Sequence, residues 1–559
     1  MAGGLLNLTA ISSANVILTG NPTKTFFKVV YSKYTNFGLQ KFRLDYEGSR
    51  DLRLTTSSVF QFKVKRYADL LMDTYLCITL PDIWSPIYQP CEKTGYQWAP
   101  YDFRWIHDLG AQMIENITIT SGSLVLQTYS GAYLSAMLHR DFTEEKKKAF
   151  DEMTGNTVEF HDPANAYGRA NAYPSAFFMG DGVAVEPSFR SRILYIPINT
   201  WFTMDSRCAF PLVALRYNEL NINVTIRPIQ ELFQVRDVFD PDNNYPYVQP
   251  DFTLPQFSMY RYLQQPPSAS VDNNKYQNTT PTWNADVHLL ATYCFLSEEE
   301  RKKFALEDQV YLVKDVFEYK FDNLVGSNTV SLTSNGMISN WMWFFQRNDV
   351  NLRNEWSNYT NWPYSQLPDD IQPAPLAGSA IQGFGGVTYN YGPGINPPLS
   401  GQSVGNNTGL YITGTFSQDN PSDVMVSMAI TLNGAYRENV LPAEVYQYVD
   451  RYARSNGSGK RGLYHYNFCL NTSPYDYQPS GGMNMSKFRD INLEITTISP
   501  AVSQNNANFN VICDLSGNPI GVIKKGWRLY DYTFNMTLYE ERYNILSFVG
   551  GNCGMLYAR

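Results

Sequence analysis

An all-β protein built as two consecutive units is the fold this sequence predicts, and three observations lead there. Short runs alternate apolar and polar residues at period two. In Leu220–Ile226, the residues Leu220, Ile222, Val224 and Ile226 face one way and Asn221, Asn223 and Thr225 the other, which marks a half-buried strand. Turn residues separate such runs at fairly regular intervals, the spacing of sandwiches and jelly rolls. At 559 residues the chain is also longer than one core usually supports, so two domains are expected.

Taken in chain order, Val59–Val64, Ile117–Thr120 and Leu220–Ile226 read as strands of the first half, and Met425–Leu432 and Tyr532–Leu538 as strands of the second. Helices are few. Thr143 is placed to cap Glu144–Met153, with acids in the first turn and Gly155 as its C-terminal stop. Ser297 and Glu300 have the spacing of a capping box ahead of Phe304. Pro442–Tyr452 is the third helical run. Between Phe239 and Ser270, Pro, Asn and Ser cluster and apolar periodicity fades, so the boundary between the halves is expected there. A second irregular stretch, Tyr364–Thr415, is too long for an ordinary connection and reads as a functional loop or a disordered one.

Composition narrows the function. Only 17% of residues are charged while 15% are aromatic, which suits large β cores or broad contact surfaces. The net charge of −8 argues against direct wrapping of nucleic acid, because phosphate binding needs dense Lys and Arg. Basic spots at Lys63–Arg66 and Lys524–Arg528 read as solvated faces or subunit contacts. The seven cysteines form no CxxC pair, against both a zinc site and a secreted disulfide framework. The N-terminus has no charged, apolar leader and the chain has no 18-residue apolar run, so synthesis and assembly in the cytosol are expected.

Catalytic patterns fail one by one. His139-Arg140-Asp141 spells a kinase tripeptide, but the Asn required five residues later is Lys146. Gly457-Ser458-Gly459-Lys460 lacks the earlier glycine and the following Ser or Thr of a phosphate loop, and reads as a flexible basic turn. Asp240–Asn244 lacks the glycine and the terminal glutamate of a calcium loop. The five histidines show no metal-ligand spacing, so no catalytic residue, metal or cofactor is assigned. Ten Asn-x-Ser/Thr sequons occur, of which Asn278, Asn406 and Asn456 are the better surface candidates for glycan attachment.

One stretch carries more than its composition. Pro474–Asp490 contains Gln478-Pro479-Ser480-Gly481, then Asn484-Met485-Ser486-Lys487, then the strand-like Ile491–Ile495. This resembles a signature of the major capsid proteins of nucleocytoplasmic large DNA viruses, with Lys487 where the signature more often has Arg. Further segments resemble that family in its order along the chain: Thr19–Tyr31, Tyr96–Gly110, Leu194–Phe202, Phe210–Leu220, Trp341–Asp349 and Arg353–Trp362.

The resemblance implies a double jelly roll, two eight-stranded antiparallel sandwiches in sequence. On it, residues 1–24 would be an N-terminal arm, 25–240 the first jelly roll, 241–280 a linker, and 281–559 the second jelly roll with an external loop at about 364–415. It further implies a homotrimer with pseudo-hexagonal outline, contacts with neighbouring capsomers and with minor capsid and vertex proteins, and an arm facing the internal membrane. The expected place is the virion, the expected role structural, with no direct nucleic-acid contact. A carbohydrate-binding or carbohydrate-cleaving β-sandwich is the alternative, with exposed Trp and Tyr as a sugar platform.

Overall fold

The computed structural model describes residues 13, 16–48, 51–85, 87–88, 99–100, 102–169, 173–176, 186–237, 246–267, 276–365, 372–373, 410–411, 420–476, 478–500, 510–513, 518–523, 527–529 and 531–557. The first half supplies β1 (Phe37–Leu44), β2 (Ser58–Lys63), β3 (Leu70–Leu80), β4 (Ile114–Ser121), β5 (Leu124–Tyr129), β6 (Arg192–Pro197), β7 (Leu220–Ile226) and β8 (His288–Leu296). They pair antiparallel in two sheets, ordered β1-β8-β3-β6 and β2-β7-β4-β5.

The second half supplies β9 (Gln309–Leu324), β10 (Ser327–Ser331), β11 (Met337–Arg347), β12 (Met425–Leu432), β13 (Ala435–Pro442), β14 (Leu463–Asn467), β15 (Ile491–Thr497) and β16 (Phe534–Val549). Its sheets run β9-β16-β11-β14 and β10-β15-β12-β13. Each order is that of the first half with eight added, so one jelly-roll winding occurs twice.

The cause of the sandwiches is visible in single strands. Burial along β7 alternates strictly, with Leu220, Ile222, Val224 and Ile226 in the first core. A second core gathers Val330, Met428, Ile430, Leu493 and Ile495 from the sheet of β10 and β15 against Trp343, Met536 and Leu538 from the sheet facing it.

Helices sit at matching places. Between β5 and β6 lie α1 (Gly131–Asp141) and α2 (Glu144–Thr154); between β13 and β14 a π turn (Val445–Val449) runs into a short α-helix (Asp450–Arg454). A further helix, Glu298–Leu306, joins the halves. Gly155 ends α2 in the left-handed region, φ 78°, as its position predicts. Neither Thr143 nor Ser297 makes a side-chain cap bond, so the expected capping box does not form.

The structure corrects the expected division at 281. The strand at His288–Leu296 pairs with both β1 and β3, so it completes the first roll instead of opening the second. Part of the 241–280 segment also belongs to the first core, where Phe257, Met259 and Tyr262 are buried. The sequence misplaces these because Pro- and Ser-rich composition marks irregular chain, not where a sheet closes. Most of the 364–415 loop lies outside the described residues.

Candidate assembly site: the seam between the rolls

The two rolls meet along one sheet that is buried on both faces. On β11, Trp341, Trp343 and Phe345 enter the second core, whereas Met342 and Phe344 between them join the first. On β16, Phe534, Met536 and Leu538 point inward, while Tyr539 on the other face joins the first core; Leu546 and Phe548, in step with the inward residues, meet the first core further along the strand. Period-two alternation thus sends apolar residues to both sides, as in any sheet covered twice. The cover is α1, nearly all of whose residues are buried, and its Tyr133 ring meets Tyr539 edge-on at 5.4 Å. The helix begins on Gly131 because a Cβ there would lie 1.8 Å from the Ala111 carbonyl oxygen.

At the other end of α1 the seam is ionic. The Arg140 guanidinium donates to Asn340 Oδ1 at 2.6 Å and to Glu541 Oε1 at 2.7 Å, and grips Asp141 as well. Tyr133 donates to Glu541 at 2.9 Å, Asn340 to its other oxygen at 2.8 Å, and Thr472 to Asp141 at 2.6 Å. Burial alone would raise Glu541, but Arg140 and Lys314 outweigh it and hold that carboxyl at about 2. Asp141 is shifted upward, because there burial prevails over Arg140.

The Gly457–Lys460 turn, expected to be flexible, is clamped into this seam. Gly457 and Gly459 donate their amides to the Arg140 and His139 carbonyls at 2.7 and 2.8 Å, and Lys460 reaches Asp108 at 2.9 Å. A Cβ on Gly457 would lie 2.2 Å from the His139 oxygen, so the close approach requires glycine. Beside it a cavity of about 180 Å³ is lined by His107, Asp108, His139, Asn156, Glu355 and Lys460, among others. Asp108 is held well below the usual carboxylate range: burial opposes this, but Lys460 and Ser357 prevail. The rings of His107 and His161 stack 4.2 Å apart. Burial, with nearby cations, lowers His107 to about 4 and His139 and His161 to about 3.

The signature segment is a clasp on the same sheet. Ser480 accepts from the Asn471 amide at 2.9 Å and donates to its carbonyl at 3.0 Å. Gly482 passes the start of β11 where a Cβ would lie 2.8 Å from the Ile338 oxygen. Asn484 caps the Ser486 amide, the Ser486 hydroxyl accepts from Gly336 at 2.8 Å, and Met485 is buried in the second core. Among the predicted sugar sites, Asn278 and Asn456 are exposed and Asn406 lies outside the described residues. Sequence reading dismissed both His139-Arg140-Asp141 and the glycine turn as failed catalytic motifs; the structure brings them together as one joint. The signal that could have found it is a charged pair at the end of an otherwise apolar helix.

Two outcomes follow from this geometry. Arg140→Met strands two buried carboxylates and should cost about 3–5 kcal/mol in denaturant unfolding, while adding Glu541→Leu should recover more than half; equal stability of both variants and wild type would contradict the joint. Unfolded imidazoles protonate near pH 6.5, whereas His107, His139 and His161 stay neutral down to about 3–4. The stability that these three histidines contribute is therefore full above about pH 6.5 and declines as pH falls from there, by up to about 1.4 kcal/mol per unit for each, while Asp102 and Asp450, raised to about 6 by burial, offset part of the loss. Melting temperatures between pH 7 and pH 5 measure this, and the slope should flatten in His161→Gln.

Comparison with known proteins places these features. Residues 25–264 match the family described as "Major capsid protein N-terminus", and residues 300–554 that of "Large eukaryotic DNA virus major capsid protein". The chain is 25% identical to the major capsid protein of Phaeocystis pouchetii virus over 92% of this chain and 98% of that one. It is 23% identical to that of Paramecium bursaria Chlorella virus 1 over 100% of both. Its fold is similar to the Faustovirus major capsid protein, TM-score 0.56 at 12% identity, covering 98% of each chain. It is also similar to the capsid subunit of PBCV-1, TM-score 0.57 at 17% identity, covering 96% of this chain and 100% of that one. None of these relatives supports the carbohydrate alternative. With both halves matched and the double jelly roll in place, the chain belongs to the major capsid proteins of large eukaryotic DNA viruses.

Proposed function

We propose that three copies of the chain form a capsomer of pseudo-hexagonal outline that tiles an icosahedral shell. The observation that carries this is the repeated strand order: two alike sandwiches per chain, taken three times, present six alike edges. The role is structural, not enzymatic; function lies in contacts between subunits. Neighbouring capsomers and minor capsid and vertex proteins are the partners, and assembly takes place in the host cytoplasm. The charge of −8 supports a shell that does not itself grip nucleic acid.

The N-terminal arm is the element for minor proteins and the internal membrane. Supporting this, Val16 and Ile17 are exposed and lie outside both cores, as suits residues covered only on assembly. Asn278 and Asn456, both exposed, are proposed as glycan acceptors, with Asn406 as the third.

Light scattering on purified protein should give three times 63.7 kDa, and negative-stain images of that peak a hexagonal outline; a monomer would overturn the capsomer. Deleting residues 1–22 should leave that mass ratio intact and reduce shell yield; unchanged yield would remove the arm's role. The intact mass of the virion protein should exceed that of the bare sequence, and equality would dismiss the glycans.

A further inference from the structure

Between the N-terminal arm and β1 lies a stretch that neither core uses. Residues 22–36 form no helix and no strand, and all of them are exposed. Phe27 is 98% and Tyr34 87% exposed, and Phe26, Val29, Val30 and Tyr31 stand as clear of the chain. Apolar side chains left bare in one contiguous run mark a surface that something else covers.

Charge narrows what that is. Of the 44 Lys and Arg, five fall in residues 1–44, and of the 52 Asp and Glu, none do. The rest of the chain therefore holds 39 cations against 52 anions, a net charge of −13, behind an N-terminal stretch of +5. Arg43 is engaged, donating to Asp286 at 2.6 Å. Lys24, Lys28, Lys33 and Lys41 are exposed and make no ion pair among the described residues.

Side-chain choice separates a protein partner from a lipid one. A strand laid on another sheet would alternate, but Phe26-Phe27 and Val29-Val30-Tyr31 are consecutive apolar runs, so neither face is polar. Protein interfaces favour Arg and are poor in Lys, whereas the free cations here are all Lys. Lysine among Phe and Tyr suits a membrane–water boundary, where rings sit at headgroup level and lysine stems extend past them to the phosphates.

Resting on the reading above that the N-terminal region meets the internal membrane, we propose that residues 24–34 lie in the headgroup layer of an anionic bilayer. Phe26, Phe27, Tyr31 and Tyr34 insert, and Lys24, Lys28 and Lys33 hold the lipid phosphates. A trimer brings three such stretches to one surface, so contacts that are weak singly act together.

Flotation of the full-length protein with vesicles tests this. The protein should bind mixed phosphatidylcholine and phosphatidylserine vesicles, and bind pure phosphatidylcholine about a hundredfold more weakly, because each of three lysines near an anionic surface is worth roughly fivefold. Binding should fade as salt rises to about 1 M, where screening acts within about 3 Å. Lys24→Ser with Lys28→Ser and Lys33→Ser should remove the preference for phosphatidylserine, and Phe26→Ser with Phe27→Ser should weaken binding to both vesicles. Melting temperatures of both variants should match wild type, since these side chains belong to neither core. Equal binding to the two vesicles, or a lysine variant that binds like wild type, would overturn the inference. If that variant binds normally while deletion of residues 1–22 abolishes binding, the arm is the membrane element and only the present assignment fails. A full chain that binds neither vesicle fails both. Loss of the trimer mass in either variant would give the stretch to a second copy of the chain, which also overturns the inference.

Discussion

Everything else in this molecule depends on one sheet being dry on both sides. Strands β11 and β16 cannot afford the half-polar pattern of β7, because one face closes the second sandwich and the other supports α1. That constraint fixes Trp341 and Trp343 one way and Met342 and Phe344 the other. The Arg140 cluster then acts on position more than on stability. A buried ion pair is seldom better than apolar side chains of equal volume, but sliding α1 by one turn would leave the buried carboxylates of Glu541 and Asp141 unpaired.

How much of this the sequence discloses depends on the distance over which each feature acts. The alternation in Leu220–Ile226 is local and is legible at sight, as is the glycine that stops α2. The signature segment is legible as a pattern, though not as a clasp, because its bonds run to Gly336 and Ile338 on another strand. The charged pair closing an apolar helix marks Arg140 as one side of a joint, but its pairing with Glu541 is illegible from one sequence: the partners are hundreds of residues apart, and neither neighbourhood announces the other. The glycine turn at 457–460 misleads for the same reason, since glycine marks equally a flexible loop and a place where two backbones must touch.

As a capsid protein the chain has mechanical work to do, and its design follows. A shell plate needs stiffness within the subunit and a defined outline around it. Stiffness comes from the first core running unbroken through the seam to Val313, Met342 and Tyr539 of the second roll. The histidines stacked beside that seam make its firmness dependent on acidity, a property of the plate itself and not of any partner.

The position of β8 governs how the chain can be made. Phe37 pairs with Leu296, so the first sheet's central strand is nearly the last piece of that roll to be synthesised. Contact order is high, and until β8 arrives β1 and β3 each present an unpaired edge. A fragment cut at the limits of the first family match, 25–264, would lack that strand permanently and hold two sticky edges apart with nothing between them. The unit of independent folding is therefore longer than the unit of recognisable sequence, and nascent chains are vulnerable to cross-pairing until translation has entered the second roll.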